Sequence, residues 1–136
     1  NEFAAAMGLC NMRHLPEYIE KRRHISEIYT ERLSGLKGIR LNKYNNDTVY
    51  NYAYFPIVVE NGDRDELYES LARENIFARK YFYPCTNAYE CYSKSFDAND
   101  TPIAFDISKK VLTLPIYPDL EAADVERICD IIRREL

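Results

Sequence analysis

The hydrophobic period changes near residue 36, and that change limits the fold more than any other feature. Before it, Tyr18, Ile25, Ile28, Tyr29, Leu33 and Leu36 recur at helical spacing. Pro16 suits the first turn of that helix, and Gly35 and Gly38 stop it. After it, short runs of aromatic and β-branched residues alternate with helical segments. Helices first, then strands mixed with helices, is the order of an α+β domain. We expect a small, mostly antiparallel sheet of three to four strands, covered by helices on one face, with long N-terminal helices.

Residues from Glu2 to about His14 are strong helix formers, and apolar side chains nearly circle the segment, which predicts burial on several sides. Glu17 and Lys21 form an i,i+4 pair on the wet face of the second helix. Ile39 to Asn42 reads as a short strand and "NKYNNDT" as a polar turn. Val49 to Val59 reads as a strand in which Pro56 marks an edge or a bulge. Asp63, with Glu66 three residues on, starts a helix that turns Leu67, Leu71 and Ala72 inward. Ile76 to Phe82 is extended. Thr101-Pro102 reads as an N-cap followed by proline at N1, opening a helix through about Lys109. "KVLTLPIYP" is a strand, and a last helix from about Ala122 carries a stripe of Val125, Ile128, Cys129 and Ile132.

The 136 residues suffice for one domain with a real core. A net charge of −4, with bases and acids interleaved as in "EYIEKRRHISEIYTER", gives counterion release little to act on and excludes nucleic acid as a partner. No apolar run reaches the length of a membrane span, so no membrane partner is expected. No basic segment followed by an apolar block opens the chain, and the expected compartment is the cytoplasm. Cys10, Cys85, Cys91 and Cys129 form no C-x-x-C pair, and His14 and His24 lie far from Cys85 and Cys91. These read as buried free thiols of a reducing compartment, with no metal site. Six of the first ten residues are Ala, Met, Leu or Phe, so Asn1 reads as a cut inside a longer polypeptide.

The stretch "ARKYFYPCTNAYECY", Ala78 to Tyr92, concentrates four tyrosines, two cations and two cysteines. Arg79 and Lys80 suit a diphosphate, Arg79 better for bidentate contact. Tyr81 and Tyr83 can stack on a sugar or base while their hydroxyls hydrogen-bond. Period two puts those two rings on one face and Phe82 on the other, in the core.

Three segments, in order, resemble the C-terminal part of the DegT/DnrJ/EryC1/StrS family, pyridoxal-phosphate-dependent aminotransferases of nucleotide-linked keto-sugars. "NEFAAAMGLCNMRHLPEYIEKRRHISEIY" is similar to the family's segment joining its large and small domains. "FARKYFYPCTNAYECY" resembles its Arg-x-Tyr-Phe-x-Pro loop, and "PIAFDISKKVLTLPIYPDLEAADVERICDIIR" its closing stretch. The resemblance implies that residues 1–136 are the small C-terminal domain of a larger aminotransferase, with 1–15 the interdomain helix segment and 16–136 the small domain. It implies a nucleotide-sugar substrate, glutamate as amino donor, a homo-oligomer and pyridoxal phosphate in the parent enzyme.

The resemblance places substrate-facing groups at Thr86 and Asn87, alongside Arg79, Tyr81 and Tyr83. The family's cofactor-bearing lysine belongs upstream of Asn1, and none of the lysines here sits in its His-x-x-Lys context. No catalytic or cofactor-binding residue is therefore assigned, and this chain alone is expected to be inactive with no cofactor bound. Where many relatives carry Leu-His after the loop proline, this chain has Cys85-Thr86, which removes an imidazole. The competing reading is a non-catalytic module for small-ligand binding or dimerisation. A tyrosine-stacking RNA binder is disfavoured by charge.

Overall fold

The computed structural model describes residues 1–45, 47–92 and 94–136. Helix α1 runs unbroken from Glu2 to Leu33. Asn1 caps it, its side chain accepting from the Ala4 N–H at 2.9 Å. The two separate helices expected around Pro16 are thus one. Proline removes a single N–H, and the carbonyl left without a partner belongs to Met12, in a stretch open to water on all sides. The same exposure corrects the expected burial of residues 2–14: Phe3, Met7, Leu9 and Met12 are all solvent-facing. The second half of α1 behaves as its stripe predicts. Ile25, Tyr29 and Leu33 are buried, Ile28 and Leu36 pack against them, and the Glu17–Lys21 pair closes at 2.9 Å. Gly35, at φ +73°, turns the chain out of the helix.

Three antiparallel strands follow in the order β1 (Ile39–Leu41), β2 (Phe55–Val59) and β3 (Val111–Leu114). The predicted turn across 42–48 includes Asn46, which lies outside the described residues. Register places Phe55 opposite Leu114, Ile57 opposite Leu112 and Val59 opposite Ile39. One sheet face therefore carries Phe55, Ile57, Val59, Leu112 and Leu114 into the core. The predicted strand 49–59 shortens to its last five residues, because β1 ends at Leu41 and Pro115, after β3, cannot donate to Tyr54.

Pro56 lies in the central strand, not at the expected edge or bulge. Its cross-strand partner Thr113 turns both backbone groups away from β2, toward Arg79, at 2.8 and 2.9 Å. Pro56 therefore faces the β1 side, one residue beyond the end of that strand, and its missing N–H breaks no ladder bond. The Arg79–Thr113 bridge extends the sheet past β3 by one residue pair.

Helix α2 (Arg64–Arg73) starts where expected, with the Asp63 carboxylate accepting from the N–H groups of Asp65 and Glu66. Helix α3 (Pro102–Lys110) leads directly into β3, and α4 (Ala122–Glu135) closes the chain. Helix α4 packs on α1 and α2, burying Val125, Ile128, Cys129 and Ile132 as its stripe predicts. The guanidinium of Arg133 donates to the Arg32 carbonyl at 2.6 and 2.9 Å, joining α4 to the end of α1. The outcome is an α+β fold with a three-stranded sheet and a long N-terminal helix.

Candidate functional site

The tyrosine loop begins on the sheet and leaves it at once. Arg79 exchanges two backbone hydrogen bonds with Thr113, but no ladder continues beyond it. Without a ladder the period of two lapses. Phe82, expected in the core, is 77% exposed, and Tyr81 and Tyr83 diverge. The Tyr81–Phe82 and Tyr83–Pro84 peptide bonds are both cis. Three short turns follow, at Thr86–Ala88, Glu90–Tyr92 and Ala98–Asp100. The Asn87 side-chain amide ties the first to the last, donating to the Asp97 carbonyl at 2.9 Å and to the Thr101 hydroxyl at 3.0 Å. Thr101 precedes α3 as predicted, but its hydroxyl serves Asn87 and caps no helix N–H.

Between this loop and α3 lies a cavity of about 660 Å³. Tyr81, Phe82, Thr86 and Asn87 line it on one side, Ile107 and Val111 on the other. Cys85 is buried at its floor, where the thiol donates to the Ala104 carbonyl at 3.2 Å. The walls are apolar and aromatic. Among the described residues they include no lysine or arginine, and Asp100 is the one carboxylate. Apolar walls with a few convergent polar groups suit a small organic ligand, and the missing cation means that any phosphate must be neutralised elsewhere.

Arg79 lies in a neighbouring cleft of about 330 Å³. Its guanidinium donates to the Tyr81 hydroxyl at 2.5 Å and stands 5.7 Å from that ring. Tyr54 meets Tyr81 edge-on at 5.6 Å, and Tyr117 lines the far side. Of the five residues singled out in the sequence, Tyr81, Thr86 and Asn87 share the large cavity. Arg79 reaches it only through Tyr81. Tyr83 turns away, its ring 4.7 Å from the Arg64 guanidinium carbon.

Arg64 is the residue that sequence reasoning passes over. It is 5% exposed and donates to the carbonyls of Ser108 and Val111, each at 3.3 Å, and to the Asp65 carboxylate at 2.5 Å. A cation in the first turn of a helix opposes the helix dipole, and that misplacement is the signal the sequence does contain. Asp65 also holds Lys80 at 2.7 Å, and the Lys80 ammonium lies 4.4 Å from the Tyr68 ring centre. The Lys80 ammonium, then the Arg64 guanidinium, hold the Asp65 carboxyl below the usual aspartate range.

The four cysteines are free. Cys85 and Cys129 are buried as expected, whereas Cys10 and Cys91 are exposed, because α1 is open around Cys10 and Cys91 lies in the exposed Glu90–Tyr92 turn. Among the described residues no group of three His, Cys, Asp or Glu could hold a metal, and no helix is long and apolar enough to cross a membrane.

The sequence pattern of the DegT/DnrJ/EryC1/StrS aminotransferase family matches residues 1–133. The chain is 39% identical over 137 residues to the dTDP-4-amino-4,6-dideoxy-D-glucose transaminase of Escherichia coli, covering 97% of this chain and 37% of that protein. Its backbone is similar to DesV of S. venezuelae, with a TM-score of 0.89 at 27% identity over 96% of this chain and 35% of DesV. It is likewise similar to DesI, solved in the presence of its TDP-sugar product, with a TM-score of 0.86 at 27% identity over 96% of this chain and 34% of DesI. The chain spans about a third of the length of these relatives.

Proposed function

The chain belongs to the DegT/DnrJ/EryC1/StrS aminotransferase family, and we propose that it is the small C-terminal domain of a pyridoxal-phosphate-dependent enzyme that transfers an amino group from glutamate to a nucleotide-linked keto-sugar. In this reading residues 1–15 join the domain to a large catalytic domain, residues 16–136 form the small domain, and the enzyme is a homodimer with shared sites. The observation that carries the reading is the match over nearly the whole chain to about one third of several nucleotide-sugar transaminases.

Pyridoxal phosphate, where bound, supplies the aldehyde and electron sink for amino transfer. It requires a lysine amine, an acid at the pyridine nitrogen and a phosphate cradle. The residues here do not fit it. Among the described residues no lysine or arginine lines the large cavity, and Lys80, within the loop itself, is engaged by Asp65 and Tyr68. This chain's contribution is a wall: Tyr81, Thr86 and Asn87 offer a ring face and polar groups to a sugar, and Arg79 offers a cation to the diphosphate. No observation favours the competing reading of a non-catalytic module.

The test is to incubate the chain with pyridoxal phosphate, reduce with borohydride and search for modified lysine by mass spectrometry. The reading predicts no stoichiometric modification. One lysine labelled stoichiometrically would overturn the division of labour between domains.

A further inference from the structure

The two walls of the large cavity belong to different elements, and one buried cation touches the backing of both. Ser108 and Val111 line one side, and their carbonyls accept from Arg64. Tyr81 and Phe82 line the other, and the next ring along, Tyr83, lies over the Arg64 guanidinium. At the other end of this short loop, Lys80 is held by Asp65, which also grips Arg64. Lys80 and Tyr83 bracket Tyr81 and Phe82, so one ion pair at the start of α2 anchors the loop on both sides of its cavity-facing residues.

From this geometry we propose that Arg64 and Asp65 are positioning residues that set the separation of the cavity walls by clamping the tyrosine loop to the end of α3. Three features support the assignment. Arg64 is nine-tenths buried, and a buried cation is tolerated only when its donors are satisfied, here by one carboxylate, two carbonyls and a ring face. Its place in the first turn of α2 works against the helix dipole, so helix stability does not explain it. The planar fork also matters: it sends separate N–H groups to the Asp65 carboxylate and to the two carbonyls while its flat face lies against the Tyr83 ring, a spread that the compact lysine ammonium reproduces only in part. That the cavity receives substrate rests on the function proposed above; that the clamp fixes its width does not.

The test uses this chain and three variants: Arg64→Gln, Arg64→Lys and Asp65→Asn. Two local readouts are followed. One is the set of ring signals of Tyr81, Phe82 and Tyr83 in NMR spectra. The other is the rate of tryptic cleavage after Lys80, relative to cleavage after Arg127 on α4. The proposal expects Arg64→Gln to move the three ring signals toward random-coil positions and to raise relative cleavage after Lys80 about tenfold or more. Arg64→Lys should restore part of both. Asp65→Asn, at a half-exposed carboxylate whose loss threatens folding least, should raise cleavage after Lys80 while the Tyr83 signals move less.

Unchanged loop signals and cleavage in all three variants would overturn the proposal. So would changes of equal size at Tyr29 and Ile132 in the core, which would make Arg64 a general structural cation. A loosened loop together with stoichiometric lysine labelling by pyridoxal phosphate would sink the functional reading and leave the clamp standing.

Discussion

The hydroxyl of Tyr29 donates a 3.0 Å hydrogen bond to the carbonyl of Pro115, 86 residues further along the chain. Tyr29 is fully buried in the middle of the core-facing stripe of α1, and its ring meets Phe55 at 4.8 Å. One side chain thus joins the long helix, the central strand and the exit of β3. Burial pushes the phenol far above its ordinary range, so it remains a donor at every working pH. Tyr29→Phe keeps the ring and leaves the Pro115 carbonyl unpaired. The expected loss is about 1–3 kcal/mol, read as a lower denaturant midpoint at unchanged slope.

The fold was legible in the sequence where the signal is local. The stripe Ile25–Tyr29–Leu33 and the stripe of α4 were legible because each is amphipathic over several turns. Asp63 was legible because its cap is local. Pro16 misled because proline ends a helix only where the lost bond matters, and exposure is not written in the local sequence. Phe82 misled because alternation holds only while a ladder holds, and the ladder ends at Arg79. The site was half legible. Tyr81, Thr86 and Asn87 do meet at one cavity, but Arg64 reaches it from a helix outside the motif, through contacts 44 and 47 residues along the chain.

The thiols should separate into two classes. Cys10 and Cys91 are exposed, while Cys85 and Cys129 are buried. Burial, the largest influence, pushes the Cys129 thiol up to about 11, so at pH 8 it is almost wholly protonated and unreactive. A chromogenic disulfide reagent at pH 8 should titrate two thiols quickly and the other two only on unfolding. Fast titration of all four would contradict the packing of α4 on α1.

Acid should release the loop. The Asp65 carboxyl is depressed in the folded chain, chiefly by Lys80, so its contribution is present above the ordinary aspartate value. It is lost as pH falls through the lowered folded value. Asp65 is half exposed and solvent screening keeps the effect small, so it is read locally. An NMR titration should place the Asp65 midpoint below that of free aspartate, with the Lys80 and Tyr83 signals moving at the same midpoint. An ordinary midpoint would remove the ion pair from the account.

The first half of α1 should drive association. Phe3 is 86% exposed, and Met7 follows it four residues on, on the same helix face. Light scattering of this chain should give a mass that rises with concentration through the micromolar range. The double substitution Phe3→Glu with Met7→Glu should return it to a monomer without loss of helical circular dichroism. A clean wild-type monomer throughout that range would contradict the expectation that this surface takes a partner.

The central claim is that these residues are one domain of a larger transaminase. The most direct measurement is the intact mass of the native gene product, taken from its own cells by mass spectrometry. The account predicts a polypeptide roughly two and a half to three times the size of this 16.0 kDa chain, in proportion to the 37% that it covers of its relative, with this sequence inside it. A native product of about 16 kDa that starts at or close to Asn1 would contradict it.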